Sequence, residues 1–374
     1  MTGRQPALRS ARRAVAHRRR RALAVVLAAV SALAGCTVEA SPPQVRTPTG
    51  STIAFLLPES KTSRYESIDR PVFEAVVAQR CPACRVVYAN AGQDAARQQQ
   101  QAESALTQGA GVLVLDAVDA ATAQSIVSAA VDRGVPVIAY DRFISDVPLT
   151  YFVAYDSARV GQLQGEAIVR AVGRTSPDQG ILLVHGAATD PNVAGLKVGL
   201  AQALKGSGVR VLAEYDTPDW SPDKAQEWVQ GQLTQFAGRV VGVYAANDGT
   251  AGGAISAMRA AGLDPVPPVT GQDAELAAIQ RIISGDQYMT VYKAISQQAR
   301  TAAELSVAVL RGETPASTAQ VGGIPSVLLA PVAVTRDQVE SVIVKGGVYT
   351  VEEICVEPYR AACRAAGLIT GGTS

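Results

Sequence analysis

Histidine is nearly absent from this chain, and its scarcity argues against the commonest catalytic sites. The 374 residues include two histidines, of which only His185 lies beyond residue 36. A Ser-His-Asp triad depends on a histidine base and many metal sites use several histidines, so neither is readily assembled here. His185 follows an apolar run and is interpreted as a structural residue. Lys293 and Asp273 could form a Schiff-base site, but a charge pair that binds a hydroxyl group explains them more simply. We therefore expect that this protein is not an enzyme and that it binds neither a metal nor a cofactor.

The chain also lacks an excess of basic residues once its first segment is set aside. Eight of the 34 Lys and Arg residues are arginines within residues 1–35, which contain no acid. The other 26 face 33 acidic residues, so the rest of the chain has a net charge of about −7. Nucleic-acid-binding domains carry a basic face, and we therefore expect no nucleic-acid partner.

The first 35 residues are typical of an export signal. The basic region ends at Arg21, and residues 22–35 are small and apolar but too few to span a bilayer comfortably. The Leu-Ala-Gly that precedes Cys36 is similar to the lipobox of bacterial lipoproteins, in which the mature chain begins at a lipidated cysteine. Residues 36–50 are polar and rich in proline, serine and threonine, which favours a flexible linker. We expect an extracytoplasmic lipoprotein anchored to the cell membrane through Cys36, at the outer face of the cytoplasmic membrane or in the periplasm; a plain signal peptide or an uncleaved anchor is the alternative.

Cysteine is scarce, and its few positions predict disulfides. Apart from Cys36 there are four cysteines, an even number that suits an exported protein. Of the three possible pairings we favour the local ones, Cys81 with Cys84 and Cys355 with Cys363. A redox or zinc role for Cys81 and Cys84 is the alternative. These two residues close a helical stretch and precede a strand, whereas a thioredoxin-like pair follows a strand and opens a helix.

Hydrophobic periodicity predicts two successive series of strands and helices. Short apolar runs separated by helical spacing fill residues 52–141, and the pattern begins again after residue 160. Such alternation is typical of parallel, doubly wound sheets. The predicted strands lie at residues 52–57, 86–88, 111–115, 135–140, 151–155, 180–185, 209–215, 240–244 and 269–273. We therefore predict an α/β fold with two Rossmann-like lobes.

The later part of the chain predicts further crossings between the lobes. A β-rich run at 288–293 precedes a long helical stretch at 295–310, and another strand follows at 326–331. Several connections between lobes restrict their relative motion to a hinge. The predicted N-terminal lobe comprises residues 51–154 and 295–329. The predicted C-terminal lobe comprises residues 155–294 and 330–374.

Polar side chains recur just beyond the carboxyl ends of the predicted strands, where open α/β sheets bind ligands. Each of these residues has an alternative explanation, because Asp and Asn commonly cap the following helix and Arg or Lys decorates surfaces. Carboxylates, amides and guanidinium groups set side by side suit sugar hydroxyls, which both donate and accept hydrogen bonds. An aromatic ring such as Trp220 or Tyr65 could cover the apolar face of a pyranose. The residues are Arg64, Asn90, Asp141, Arg142, Asp156, Asp190, Asn192, Trp220, Asn247, Asp248, Gln272, Asp273 and Lys293.

At these residues the sequence resembles the D-xylose-binding branch of the periplasmic sugar-binding proteins that serve ABC transporters. The similarity is carried by VIAYDR with VGQLQGE, by AANDGTAGGAI, and by TGQDAELAAIQRIISGDQYMTVYK. It implies the type I periplasmic binding protein fold, two Rossmann-like lobes with parallel sheets joined by a three-segment hinge. The ligand-binding residues that it implies are Arg64, Asp141, Arg142, Asn192, Trp220, Asn247, Asp273 and Lys293. Tyr65, Asn90, Asp156 and Asp190 form a second group of candidates.

The resemblance and the residues together predict a binding protein for one monosaccharide. We expect a monomer that captures a sugar, with D-xylose the first candidate, and presents it to the transmembrane subunits of an ABC permease. The alternatives are a sugar-sensing subunit for a chemoreceptor or histidine kinase, and a binding protein for another pentose, a hexose or a nucleoside. A regulator of the same fold would need a DNA-reading headpiece, and residues 1–50 offer an export signal instead.

Overall fold

The fold is built on parallel β-sheets flanked by helices, as predicted. A computed structural model describes residues 51–369. The strands are β1 Thr52–Leu57, β2 Arg85–Asn90, β3 Ala110–Leu115, β4 Val137–Tyr140, β5 Tyr151–Tyr155, β6 Gly180–His185, β7 Val211–Asp216, β8 Val240–Ala245, β9 Met289–Tyr292, β10 Ala319–Val321, β11 Ile324–Leu329 and β12 Val332–Thr335. The α-helices are α1 Arg70–Arg80, α2 Ala95–Thr107, α3 Gln124–Asp132, α4 Ser157–Val172, α5 Asn192–Leu204, α6 Pro222–Gln235, α7 Asp248–Ala260, α8 Leu276–Ser284, α9 Ile295–Leu310, α10 Val351–Ile354 and α11 Arg360–Ala365.

One seven-stranded sheet has the order β10-β11-β5-β4-β3-β1-β2. All of its pairings are parallel except the hairpin of β10 with β11. Strands β1 and β3 are apolar and buried along their whole length, as expected for parallel strands covered on both faces. Helix α9 packs on this sheet although it follows the second series of strands in the chain.

A second group of strands surrounds β6, which is also fully buried and lies between β7 and β8 in parallel. Isolated parallel bridges join Val269 to Val243 of β8 and Gln272 to Val291 of β9. Strand β9 pairs antiparallel with β12. The chain therefore returns to this group after β11, having left it at the end of β9.

We propose that the two groups of strands correspond to two lobes, residues 51–154 with 295–329 and residues 155–294 with 330–374. Sheet membership supports this division, because β1 to β5, β10 and β11 form one sheet and the other five strands lie outside it. The buried apolar clusters divide in the same way. Three connections would then join the lobes, after β5, after β9 and after β11.

Several local predictions need correction. Residues 269–273 do not form a continuous strand: only Val269 and Gln272 form bridges, and the chain turns at Asp273 and Ala274, which have positive φ of 96° and 52°. The apolar spacing of residues 65–79 predicts a helix, and the structure forms it as a π-helical turn, Tyr65–Asp69, that continues into α1. Strands β10 and β12 were not predicted, since both are short and depend on partners distant in sequence.

Both predicted disulfides are confirmed. Cys81 is joined to Cys84 and Cys355 to Cys363. The first pair lies between the end of α1 and the start of β2, the context that argued against a redox motif. The second pair is buried where the C-terminal segment packs near α8.

Within residues 51–369, no helix is both long and apolar enough to cross a membrane. The predicted export signal, the lipidation site at Cys36 and the linker to residue 50 lie outside the described residues.

Candidate functional site

Polar side chains that follow strands of both groups line one cavity. It contains about 470 Å³ of space that no atom fills, a figure that includes open solvent. All eight residues implied by the family resemblance line it, together with Tyr65 and Asp190 from the second group of candidates. Gln272, one of the strand-end polar residues noted in the sequence, also lines it. The lining residues that the sequence did not single out are Thr62, Tyr155, Ser157, Val160 and Leu196.

Asp141 lies at the centre of a buried charged cluster on one wall. Arg64 Nη1 is 3.3 Å from Asp141 Oδ2, and Lys293 Nζ is 3.9 Å from Asp141 Oδ1. Burial alone would raise the pKa of Asp141, but Lys293, Arg64 and Arg142 together lower it below its ordinary value. The cluster therefore holds an ionised carboxylate in the cavity wall.

Arg64 is fixed by Asp69, which lies outside the cavity. The Arg64 guanidinium donates two hydrogen bonds to Asp69, from Nε at 2.9 Å and from Nη2 at 2.8 Å. Tyr140 also donates to Asp69, and Gln298 accepts from Arg64 Nη2 at 3.0 Å. This bidentate arrangement fixes the plane of the guanidinium before any ligand arrives.

Arg142 lies between two carboxylates from different sheets. Its Nε is 3.3 Å from Asp116 Oδ1, which follows β3, and 2.9 Å from Asp190 Oδ2, which follows β6. Arg142 Nη1 also donates to the carbonyl of Ala117 at 2.8 Å. Burial raises the pKa of Asp116 and of Asp190, and Arg142 opposes both shifts. The Arg142–Asp190 pair is therefore a buried contact between the two groups of strands.

Trp220 places an indole ring in the cavity wall. Its Nε1 donates to Asp190 Oδ2 at 3.2 Å, while the amide of Asn192 donates to Asp190 Oδ1 at 2.9 Å. Gly186 leaves room for the ring, because a Cβ there would lie 2.1 Å from the indole carbons. The side chain of Asp190 thus orients the indole and contacts Arg142 at the same time.

The remaining polar groups surround the cavity from the second group of strands. Lys293 Nζ is 3.0 Å from Asp273 Oδ1. Asn247 caps α7, because its side-chain oxygen accepts from the backbone amide of Thr250 at 2.9 Å. The side-chain NH₂ of Asn247 takes no part in that cap. Asn192 accepts from Ser157 Oγ at 2.8 Å and donates to the carbonyl of Asp141 at 3.3 Å.

Three lining residues occupy left-handed backbone conformations that side chains rarely adopt. Asp141 has φ of 59°, Trp220 of 53° and Asp273 of 96°. Such conformations cost of order 1–3 kcal/mol each and cluster at functional sites. Asp141 directly follows β4, Asp273 follows the bridge at Gln272, and Trp220 is the last residue of the 3₁₀ turn Pro218–Trp220. All three side chains line the cavity.

Two of the twelve sequence-predicted residues lie elsewhere. Asn90 ends β2, where it donates to the carbonyl of Glu59 at 2.9 Å and accepts from the amide of Gly92 at 2.9 Å. Asp156 caps α4, accepting from the amide of Arg159 at 3.0 Å. Neither lines the cavity. Asp156 illustrates the capping alternative, because the same residue types serve caps and ligands, whereas Asn90 bonds to loop backbone.

The charges of the cavity favour a neutral polyhydroxylated ligand over an anion. The lining charges balance, because three bases, Arg64, Arg142 and Lys293, accompany three carboxyl groups, Asp141, Asp190 and Asp273, and an anion would add a charge without a free partner. Within residues 51–369, no group of His, Cys, Asp and Glu could hold a metal ion. The two-group α/β fold and the enclosed polar cavity between its sheets define a small-molecule binding protein of the periplasmic type.

Comparison with known proteins confirms the family predicted from the sequence. Residues 53–314 match the periplasmic binding protein domain. The chain is 32% identical over 310 residues to the D-xylose-binding periplasmic protein of Escherichia coli, covering 81% of this chain and 92% of that protein. It is 31% identical over 286 residues to a multiple sugar-binding periplasmic receptor of Rhizobium radiobacter, covering 70% of this chain and 81% of the receptor. The chain therefore belongs to the periplasmic binding protein family, in the branch that contains the D-xylose-binding proteins.

Solved structures agree on the fold. A carbohydrate transporter solute-binding protein from Chloroflexus aurantiacus in complex with D-glucose has a TM-score of 0.74 and 26% identity, with 80% of this chain and 97% of that chain covered. A Caulobacter myo-inositol-binding protein has a TM-score of 0.69 at 23% identity, covering 78% of this chain and 95% of the other. The α/β type I architecture predicted from the sequence is therefore confirmed.

Proposed function

We propose that this chain is an extracytoplasmic solute-binding protein that captures a monosaccharide, D-xylose in the first instance, and delivers it to an ABC importer. The observation that carries the proposal is the cavity itself, where carboxylates paired with guanidinium and ammonium groups lie beside an indole ring. Paired sugar hydroxyls match such mixed donors and acceptors, and the indole suits an apolar ring face. The name of the D-xylose-binding relatives supports the choice of sugar.

The proposed ligand-binding residues divide by their chemistry. Asp141 and Asp273 accept from sugar hydroxyls, each held by a neighbouring cation. Arg64, Arg142 and Lys293 donate, and the amides of Asn192 and Asn247 both donate and accept. Trp220 stacks on the sugar ring. Tyr65 and Asp190 have supporting roles. Burial raises the pKa of Tyr65 and keeps its phenol neutral. Both oxygens of Asp190 already accept hydrogen bonds from protein donors, so this residue orients its neighbours.

The proposed mechanism is closure of two lobes around the sugar. The Arg142–Asp190 pair, the bond from Asn192 to the carbonyl of Asp141, and the bond from the Ser63 amide to Glu275 at 3.3 Å all join the two groups of strands. These contacts form only when the lobes approach, so a sugar that binds to one lobe is enclosed when the other completes its hydrogen bonds. The closed form would be the one presented to the permease.

The proposed location follows from the sequence. Cys36 would carry the lipid anchor and residues 36–50 would tether a monomeric body to the membrane. Radiolabelled fatty acid should enter the full-length protein in a bacterial host and not the Cys36→Ala variant. Equal labelling of both proteins would contradict the anchor.

Calorimetric titration tests the sugar assignment. D-xylose should bind the purified protein at one site, and Asp273→Ala or Arg142→Ala should abolish the binding heat while the circular dichroism spectrum is retained. Asp178→Asn is the matched control, because that carboxylate is exposed and distant in sequence from the cavity residues. Unchanged affinity in either cavity variant would contradict the proposed site.

A hexose is the second candidate ligand. The structure from Chloroflexus aurantiacus contains D-glucose, and one relative is named a receptor for multiple sugars. A thermal-shift panel of D-xylose, D-ribose, L-arabinose, D-glucose, D-galactose and a nucleoside set separates the candidates, because a ligand that binds only the folded state raises its melting temperature. A shift with D-glucose alone would keep the class of function and change the sugar. A receptor role would appear as a sugar-dependent complex with a chemoreceptor or histidine kinase.

A further inference from the structure

The loop of residues 271–275 holds the cavity residue Asp273 beside β9. Two adjacent residues, Asp273 and Ala274, have positive φ. The backbone of the loop bonds to Val291 of β9 at two points, since the Val291 amide donates to the carbonyl of Gly271 at 2.9 Å and the Asp273 amide donates to the carbonyl of Val291 at 2.9 Å. Beyond Asp273, the amides of Ala274 and Glu275 donate to side chains instead, so the end of the loop depends on those side chains.

Asp248 is the hub of those hydrogen bonds. It is fully buried, and its Oδ2 accepts from the amide of Glu275 at 2.9 Å and from Thr290 Oγ1 at 2.9 Å. Thr290 Oγ1 in turn accepts from the amide of Ala274 at 3.2 Å. The amide of Asp248 itself donates to the carbonyl of Gln272 at 3.0 Å. One residue thus contacts the loop on both sides of Asp273.

The other oxygen of Asp248, Oδ1, accepts from a side chain outside the loop. Gln287 Nε2 donates to Oδ1 at 2.8 Å, and Arg281 Nε donates to Gln287 Oε1 at 3.0 Å, which orients that amide. Gly271 passes so close that a Cβ there would lie 2.0 Å from Asp248 Oδ1. The carboxylate is therefore enclosed by the loop that it organises.

We propose that Asp248 is a positioning residue for sugar binding. It holds the backbone of residues 272–275 and thereby fixes the position of Asp273 in the cavity wall. Asp248 directly follows the lining residue Asn247. Its carboxylate accepts from the amide of Glu275, and the Glu275 side chain accepts from the amide of Ser63 in the other group of strands. The same carboxylate therefore supports a lining residue and a contact between the two groups of strands. Every group that faces its two oxygens is a donor. Asparagine at this position would turn its own NH₂ toward one of those donors. A buried donor would then be left unpaired.

The test compares Asp248→Asn and Thr290→Val with a control of equal burial. Val229→Ala removes methyl groups from the fully buried core face of α6 and does not touch the loop. In sugar-free protein, hydrogen exchange at the amides of Ala274 and Glu275 should accelerate about tenfold or more in the two test variants relative to the rest of the lobe. The control should show no such local effect. Thr290→Ser, which keeps the hydroxyl, should restore the wild-type exchange rates.

Affinity supplies the second readout and rests on the proposed function. D-xylose should bind Asp248→Asn about tenfold more weakly than the wild type, while Val229→Ala keeps its affinity. If the wild type binds no sugar, the proposed function fails, and the exchange rates still decide the role of Asp248. Unchanged exchange at Ala274 and Glu275 in folded Asp248→Asn and Thr290→Val would overturn the proposal. So would an affinity within twofold of the wild type when the wild type binds.

Discussion

The contact between Arg142 and Asp190 yields the sharpest prediction for closure. Asp190 follows β6 and Arg142 follows β4, and these two strands belong to different sheets. Both side chains are almost fully buried. Replacing Asp190 by asparagine removes one charge and leaves the shape of the side chain. Its NH₂ group is a donor, so it cannot accept from both Trp220 Nε1 and the backbone amide of Asn192, and it no longer pairs with the charge of Arg142.

The size of the effect follows from the geometry. Two unit charges about 4 Å apart attract by about 4 kcal/mol at an effective dielectric constant near 20, and desolvation offsets part of this. A hydrogen bond to a charged group contributes a net of about 1.5–3 kcal/mol. Under the proposed closure, in which this pair forms as the lobes approach, Asp190→Asn should weaken sugar binding by about ten- to a hundredfold.

Stopped-flow tryptophan fluorescence separates closure from direct contact. If Asp190 acts by holding the closed form, the dissociation rate should rise and the association rate should change little. Asp178→Asn is again the matched control and should leave both rates unchanged. A dissociation constant within twofold of the wild type, or a loss confined to the association rate, would refute this account of Asp190.

Three further predictions concern stability. Burial and a neighbouring carboxylate raise the pKa of Glu275 to about 6, so its ionisation destabilises the fold as pH rises from the unfolded value of 4.5 through 6. At pH 7.5 the free energy of unfolding of Glu275→Gln should therefore exceed that of the wild type by up to about 2 kcal/mol, seen as a higher urea midpoint. Below pH 4.5 the two proteins should unfold at the same urea concentration. Asp156→Ala should lower the free energy of unfolding by about 1 kcal/mol through the lost cap of α4, with sugar affinity unchanged in calorimetry; a large loss of affinity would return Asp156 to the ligand set. Replacing Cys355 and Cys363 together by serine should lower the free energy of unfolding by about 2–3 kcal/mol in denaturant titrations, and an unchanged midpoint would contradict a stabilising role for that disulfide.

The sequence was sufficient for the fold class and for most of the cavity lining. Parallel strands end at one edge of a sheet, so the residues after each strand meet in space whatever their separation in the chain. That rule brings Asn192 and Asn247, which follow β6 and β8 of one sheet, to the same edge. Their approach to Arg142, which follows β4 of the other sheet, was implied by the family resemblance and not by the rule. The alternation of apolar runs predicted which segments form strands, but not their order within each sheet.

The failures arise where one local pattern serves two purposes. Asp156 and Asn90 follow strands as the lining residues do, yet one caps a helix and the other binds neighbouring backbone. Asp116 is not among the residues that the sequence singled out, because its pairing with Arg142 depends on a residue 26 positions away. The strand expected at 269–273 is interrupted, since only Val269 and Gln272 form bridges and the chain turns at Asp273.

Calorimetric titration of the purified wild-type protein with D-xylose tests the central claim most directly. The account predicts binding of one sugar per chain, with the heat abolished in Asp273→Ala and retained in Asp178→Asn. Absence of binding by D-xylose and by every other monosaccharide tested, in protein that unfolds cooperatively, would contradict the claim that this cavity is a sugar site.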